Sequence, residues 1–357
     1  YWLRQNPLKS ILHLADILSP YILDIARHSL EASRGSDLIV FSILGGIVGH
    51  DIAEALEIPC LGAYVLPLTT TRLRPNFFLP FNMPSCFGFL NQLTFTMPEK
   101  FITTAYRKIV ERVRTEVLEL PVTAPGGLRV WTGRYPDHPV IYGVSPSVFS
   151  RPADWGDNAQ MSGYWFPDID NEWQPDNELV DFLEAGDAPI YVGFGSMNSL
   201  DPVRTREIVV DALRLAGKRG ILYRGWGGME GEPERDDIFM VDYVPHNWLF
   251  PKTVAVVHHG GAGTTAQAFR QGVQQIITPF FADQYFWSKT VVMLGTGPKA
   301  MPNKRLNPAG LADLFRAVCT EPGYGIAAEK LGSAIRTEDG IGIAVEQIEC
   351  FMRCGRF

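Results

Sequence analysis

One ten-residue run constrains this chain more than any other: Val256-Val257-His258-His259-Gly260-Gly261-Ala262-Gly263-Thr264-Thr265. An apolar strand, Thr253 to Val257, enters a glycine-rich turn, and a helix opens at Thr264-Thr265-Ala266-Gln267-Ala268-Phe269. A turn of this kind leaves free backbone N–H groups at a helix N-terminus, where the helix dipole favours an anion. Glycines let a phosphate come close to the backbone, and an imidazole and a hydroxyl stand beside it. The run therefore predicts a phosphate site. No Lys follows the last glycine, so it is not a Walker loop, and the glycine spacing is not that of the dinucleotide fingerprint. A tight turn that needs glycine only for packing is the structural alternative.

Three neighbouring stretches favour the phosphate site. Gly193-Phe194-Gly195-Ser196-Met197 follows a predicted strand at Pro189 to Val192. Val241-Asp242-Tyr243-Val244-Pro245-His246-Asn247-Trp248-Leu249-Phe250 follows one at Ile238 to Val241. Pro279-Phe280-Phe281-Ala282-Asp283-Gln284 follows one at Gln275 to Thr278. All four stretches stand at carboxyl ends of strands in one alternating series, and in an open parallel sheet that edge is where ligands bind.

In order and spacing, these stretches resemble the family 1 nucleotide-sugar glycosyltransferases of the GT-B kind, above all the sterol 3-beta-glucosyltransferase group and its bacterial relatives. Gly163-Tyr164-Trp165-Phe166 and Gly225-Trp226 add to the likeness, which covers residues from about 140 to the C-terminus. A softer likeness runs through Gly49 to Pro59, Pro67 to Arg72 and Glu116 to Pro121. The resemblance implies an α/β fold of two Rossmann-like domains facing across a cleft. It places an acceptor-binding domain at 1–145, a linker at 146–176, a donor-binding domain at 177–340 and a C-terminal helix at 341–357. Relatives of this kind begin earlier, so the first βα units are expected to lie outside this sequence.

The implied reaction is inverting, metal-independent transfer of glucose from UDP-glucose to a hydroxyl of an apolar acceptor such as a sterol or another polycyclic. By resemblance, His259 faces the α-phosphate, and Thr264 with the backbone of Gly261 and Gly263 holds the diphosphate. Ser196 is placed for the β-phosphate, and Val244 offers its N–H and C=O to the uracil edge. Trp226 or Tyr243 is a candidate to stack on the base. Asp283 and Gln284 pair to hold sugar hydroxyls, since a carboxylate and an amide together accept from and donate to a diol. Gln267 stands where plant relatives carry a ribose-binding Glu, and an amide still bonds ribose. His246 serves either the site or the start of the short helix at 247–250. For His258 the alternation of side chains along a strand points to the other face.

The catalytic base is unassigned, because relatives carry it in an N-terminal loop that precedes this sequence. His50, after a glycine run, is the candidate acceptor contact. No cofactor is expected, the UDP-sugar being a co-substrate, and no metal: no DxD stands at a strand end, and Asp168-x-Asp170 falls in the linker. Two other readings share these motifs: a dTDP- or UDP-sugar transferase acting on a natural-product aglycone, or another enzyme of the same fold such as an epimerase. A third is a non-catalytic nucleotide-sugar-binding subunit.

Composition fits an enzyme. The 357 residues are 46% hydrophobic and 20% charged, which excludes a disordered chain. A net charge of −7 without a long basic run argues against nucleic acid. Five cysteines show no zinc spacing and suit a reducing cytoplasm. The Phe-, Pro- and Asn-rich stretch from Pro67 to Pro98 is expected to be irregular. The aromatic, Pro-rich stretch Phe77 to Phe101 is suited to an apolar acceptor or to peripheral contact with a membrane, although it lacks the basic residues that membrane docking prefers. No obligate protein partner is evident. Helices are expected at Leu8 to Ser33 (broken at Pro20), Val48 to Leu56, Glu99 to Leu120, Val203 to Ala216, Pro308 to Cys319 and Gly340 to Met352. Further strands are expected at Asp37 to Phe41, Cys60 to Val65 and Gly220 to Tyr223.

Overall fold

The computed structural model describes residues 13, 15–76, 79, 84–122, 139–167, 173–195, 197, 201–225, 229, 231 and 235–355. The chain divides into two compact units, Tyr1–Trp165 with Asp339–Phe357, and Phe166–Glu338.

The first unit carries α1 (Ile22–Ser33), β1 (Ile39–Phe41), α2 (Gly46–Leu56), β2 (Cys60–Tyr64), α3 (Gly88–Glu116), β3 (Val140–Tyr142) and β4 (Ala159–Met161). Its strands form one parallel sheet in the order β1-β2-β3-β4. Ala26, Ile47, Ile52, Tyr106, Val110 and Val113 build a core among α1, α2 and α3. The last three fall at i, i+4 and i+7, one face of a helix. Leu61 and Ile141 instead meet the chain's last helix, α11 (Gly340–Cys354), through Ala344, Ile348 and Phe351. Asp339 caps that helix by accepting from the Gly342 N–H at 2.8 Å.

Two expectations change here. The stretch from Pro67 to Pro98 is not irregular throughout, because α3 starts at Gly88 and runs through Pro98. Proline forfeits one helical hydrogen bond, but Asn91 and Phe95 are buried on this turn of the helix and hold it in place. The expected linker, 146–176, contains β4, a fourth strand hydrogen-bonded to β3.

The second unit carries α4 (Asn177–Glu184), β5 (Ile190–Gly193), α5 (Pro202–Ala216), β6 (Gly220–Tyr223), β7 (Ile238–Val241), α6 (His246–Leu249), β8 (Ala255–His258), α7 (Ala262–Arg270), β9 (Gln275–Ile277), α8 (Gln284–Met293), α9 (Pro308–Thr320) and α10 (Pro322–Arg336). Its five strands are parallel in the order β7-β6-β5-β8-β9. The central strands are buried on both faces, as a parallel sheet between helices requires. Side chains therefore alternate between two cores. Ile190, Val192 and Val257 pack toward Val209, Leu213, Leu311 and Phe315. Tyr191 and Val256 pack toward Leu249, Phe250 and Ala268. Start and stop signals are local: Asp201 accepts from Arg204 N at 2.9 Å with Pro202 opening α5, and Gly217 ends it at φ +62°.

Among the described residues, no helix is long and apolar enough to cross a membrane.

Candidate active site

In the second sheet the chain steps outward from β5 through β6 to β7, then returns past β5 to β8 and β9. The carboxyl edge between β5 and β8 is thus a topological switch point, where the following loops part and leave a crevice. Gly193 pairs with His258 and His258 with Ile277, so the three strand ends are level.

At that edge the backbone of Gly195 (φ +61°) turns against the ring of His259. A β-carbon at Gly195 would stand 3.2 Å from His259 Cε1, and one at Gly261 would stand 2.4 Å from Nε2. Glycine at both places makes room for the imidazole. The carbonyl oxygen of Gly195 also lies where a β-carbon of Gly225 (φ +62°) would come within 2.8 Å, so the loops after β5 and β6 touch. His259 Nδ1 is buried without a hydrogen-bond partner among the described residues. Burial alone pushes its pKa down to about 4, so the imidazole is neutral and carries one N–H.

Beside it, α7 follows its N-cap Gly261, which makes no side-chain cap. Thr265 N bonds Gly261 O at 3.0 Å and Thr265 Oγ1 bonds the same oxygen at 2.8 Å, so Thr265 closes the first turn. The N–H groups of Ala262, Gly263 and Thr264 precede the first helical bond and carry the positive end of the dipole. Gly263 is exposed, and a β-carbon there would meet no atom of the described residues within 4 Å. Thr264 and Gln267 are half-buried on the same helix. An orphan imidazole nitrogen beside an uncapped helix start is suited to an anion with several oxygens.

The loop after β9 is strained, with Ala282 at φ +52°, a conformation that costs a non-glycine residue about 1–2 kcal/mol. Asp283 follows at the start of α8 but makes no cap hydrogen bond. Its carboxyl is half-buried, and burial raises its pKa. Gln284 has another task than the one expected for it. It is 3% exposed, its Oε1 accepts from Phe280 N at 2.7 Å and Phe281 N at 3.2 Å, and its Nε2 lies 3.4 Å from Met197 Sδ. With its oxygen saturated by backbone, the carboxamide holds the loop that presents Asp283.

Val244 is buried, and neither its N–H nor its C=O has a partner among the described residues. Tyr243 beside it is 63% exposed. His246 stacks on Phe250 at 4.3 Å and meets the edge of Tyr191, and burial pushes it down to about 4. It is a packed member of the α6 start. Ser196 and Trp226 lie outside the described residues.

His50 stands elsewhere. Its helix, α2, runs from the carboxyl edge of the first sheet toward the amino edge. His50 lines a cavity of ≈ 340 Å³ with Ala53, Glu54, Pro59, Cys60, Pro139 and Phe351. Pro59, Cys60 and Pro139 mark the amino ends of β2 and β3, the edge opposite to the one where ligands of such sheets bind. The acceptor contact expected at His50 is therefore not supported by its position. His50, Asp51 and Glu54 also bring ligand atoms within 4.8 Å of one another. Arg114 already occupies the two carboxylates: it bonds Asp51 and takes Glu54 in a fork at 2.8 and 2.9 Å. At the carboxyl edge of this sheet the sequence missed Thr70, whose buried Oγ1 has no partner among the described residues. Only the depth of the loop after β2 reveals it.

Comparison with known proteins accords with this geometry. Residues 233–339 match the family model of the erythromycin biosynthesis protein CIII-like, C-terminal domain. A sterol 3-beta-glucosyltransferase of Arabidopsis thaliana is 38% identical over 71% of this chain and 39% of its own length. One of Cryptococcus neoformans is 35% identical over 88% of this chain and 21% of its own. The crystal structure of the glycotransferase of kitacinnamycin superposes with a TM-score of 0.69 over 95% of this chain and 82% of that one, at 15% identity. The fold is that of the GT-B glycosyltransferases. His259 and the start of α7 fall within the matched residues 233–339, and Gly195 precedes them. The chain spans less than half the length of the two curated relatives.

Proposed function

We propose that the chain is the sugar-transferring part of a sterol-type glucosyltransferase. It moves glucose from UDP-glucose to a hydroxyl of an apolar polycyclic acceptor, with inversion at the sugar carbon. The observation that carries this reading is the orphan Nδ1 of His259 beside the uncapped start of α7, at the switch point of the second sheet. The names of the relatives support glucose and a sterol acceptor.

In this reading the second unit binds the donor and the first the acceptor. The neutral His259 imidazole donates to the diphosphate, and the N–H groups of Ala262, Gly263 and Thr264 take its remaining oxygens. These groups gain most as negative charge develops on the departing diphosphate, so they stabilise the transition state more than the bound donor. They supply that stabilisation without calling on a metal ion. Val244 bonds the base edge, Gln267 the ribose, and Asp283 the sugar hydroxyls, with Gln284 holding its loop. Ser196 and Trp226 retain the roles of β-phosphate and base contacts.

Calorimetry with UDP and dTDP, on the chain and on His259→Ala, tests the donor site. UDP is expected to bind more tightly than dTDP, and His259→Ala to weaken UDP by about tenfold or more, the loss of one charge-assisted hydrogen bond. Transfer of labelled glucose from UDP-glucose to a sterol completes the test. Equal UDP binding by the variant, or preference for dTDP, would sink the reading.

A further inference from the structure

His258, the neighbour of the phosphate-site imidazole, is fully buried at the last position of β8. Its ring stands perpendicular to that of His259, at 88° and 6.2 Å between centroids, on the other face of the strand. Both of its nitrogens are engaged. Nδ1 accepts from the Gly260 N–H at 3.1 Å, and Nε2 lies 2.9 Å from Oε1 of the buried Gln275. A backbone N–H is an obligatory donor and a carboxamide oxygen an obligatory acceptor. Together they fix one tautomer: Nδ1 bare, Nε2 protonated.

Gly260 is the pivot of the turn. It sits at φ +89°, and a β-carbon there would collide with Ile277 Cγ2 at 2.7 Å and press on Gln284 O at 3.1 Å. The turn that launches α7 therefore rests directly on the start of α8, and the strand-end imidazole is what pairs its N–H. Gln275 also extends Nε2 toward Thr265 O at 3.5 Å, and Thr278 N bonds His258 O at 2.9 Å. One ring thus connects β8, the glycine turn and β9.

We propose that His258 is a positioning residue for donor binding: as the Nε2–H tautomer it braces Gly260 against Gln275 and so sets the place of His259 and of the first turn of α7. The inference rests on the donor-site reading above, because it concerns the geometry of that site. His258 touches no part of the diphosphate. It acts by fixing the direction of the N–H groups that do, since a displacement of well under 1 Å already degrades such a site.

Two measurements on the whole chain test it. Nitrogen NMR of histidine-labelled wild-type protein should show one imidazole locked with Nε2 protonated and Nδ1 bare, unchanged across neutral pH. A locked Nδ1–H form overturns the proposal without any variant. Calorimetry with UDP then compares His258→Leu and His258→Asn. The Asn oxygen replaces Nδ1 as acceptor for Gly260, whereas Leu leaves that buried N–H unpaired. His258→Leu is expected to bind UDP about tenfold more weakly and His258→Asn within about threefold of wild type. A structural role alone would lower the fraction of binding-competent protein in both variants and leave Kd unchanged in each, which overturns the proposal. So does an equal loss of affinity in a folded His258→Asn. Should His258→Leu not fold, the tautomer and the Asn variant still decide. Wild type that binds no UDP refutes the donor-site reading instead.

Discussion

The ring of His259 is clamped between two glycines, Gly195 on the Cε1 side and Gly261 on the Nε2 side, at 3.2 and 2.4 Å from the β-carbons those positions lack. The clamp aims the free Nδ1 and ties the end of β5 to the end of β8. Gly195→Ala adds a side chain at φ +61°, which costs about 1–2 kcal/mol in that backbone region. Gly261→Ala has ordinary backbone angles, φ −66° and ψ 146°, and must displace the imidazole instead. Both variants should weaken UDP by about tenfold (~1.4 kcal/mol), but only Gly195→Ala should lose that much thermal stability. Gly263→Ala is the control. It enters open space within a helix and should raise stability by about 0.5–1 kcal/mol. Thermal unfolding and calorimetry on the three proteins check the pattern.

Acid should unfold the chain in a defined window. Burial holds His246 and His259 at about 4 and His258 at about 3, against an ordinary value of 6.5. The unfolded chain takes up these protons as pH falls through 6.5, while the folded chain does not until pH approaches 4. The unfolded state thus binds more protons, so this stability is present above pH 6.5 and is lost between about 6.5 and 4. The loss is roughly 1.4 kcal/mol per pH unit for each histidine. Denaturant melts from pH 7.5 to 4.5 should show this slope, shallower in His258→Asn. A flat profile would mean that these rings are solvated.

The second unit was legible because its strands are continuous apolar runs punctuated by glycine. Gly220 to Tyr223 and Ile238 to Val241 coincide with β6 and β7. The glycine turn after β8 was legible for the same reason, since glycines at a strand end have few other uses. The first unit was harder. Val140-Ile141-Tyr142 forms a strand of only three residues, too short for any period, and its pairing with β2 and β4 is a tertiary fact. The extension of α3 through Pro98 defies local propensity and depends on burial of Asn91 and Phe95. At the site, residue type told which groups can bind a sugar, but it did not tell which are free to. Gln284 and Asp283 look alike in sequence, yet one is saturated by backbone and the other is not.

The first unit depends on Arg114. This guanidinium is 3% exposed, bonds Asp51 and Glu54 on α2, and reaches Pro121 O at 2.9 Å. Glu54 is held below its ordinary pKa by that hydrogen bond, whereas burial lifts Asp51 above its own. Arg114→Met leaves the buried Asp51 without its partner, and breaking such a pair costs about 3–5 kcal/mol. A double change, Arg114→Met with Asp51→Leu, removes both charges and should recover most of the loss. Denaturant midpoints of the two variants decide whether the pair, rather than the bulk of the side chain, is what matters.

In the proposed reading, Asp283 separates binding of the sugar from binding of the nucleotide. Its carboxyl makes no helix-cap bond and stands in a loop strained at Ala282. Backbone strain of this kind collects at ligand sites. If the carboxyl binds the glucose, Asp283→Ala should leave the UDP affinity unchanged and weaken UDP-glucose. A hydrogen bond to a charged group contributes about 1.5–3 kcal/mol, which corresponds to roughly ten- to a hundredfold in Kd. Gln284→Ala should behave differently. It frees the Phe280 and Phe281 N–H groups and loosens the loop, so thermal stability falls together with the affinity for UDP-glucose. Calorimetry with UDP and UDP-glucose, beside thermal unfolding of each variant, distinguishes the ligand from its support. Equal loss of both ligands in Asp283→Ala would place the carboxyl on the nucleotide side and withdraw it from the sugar.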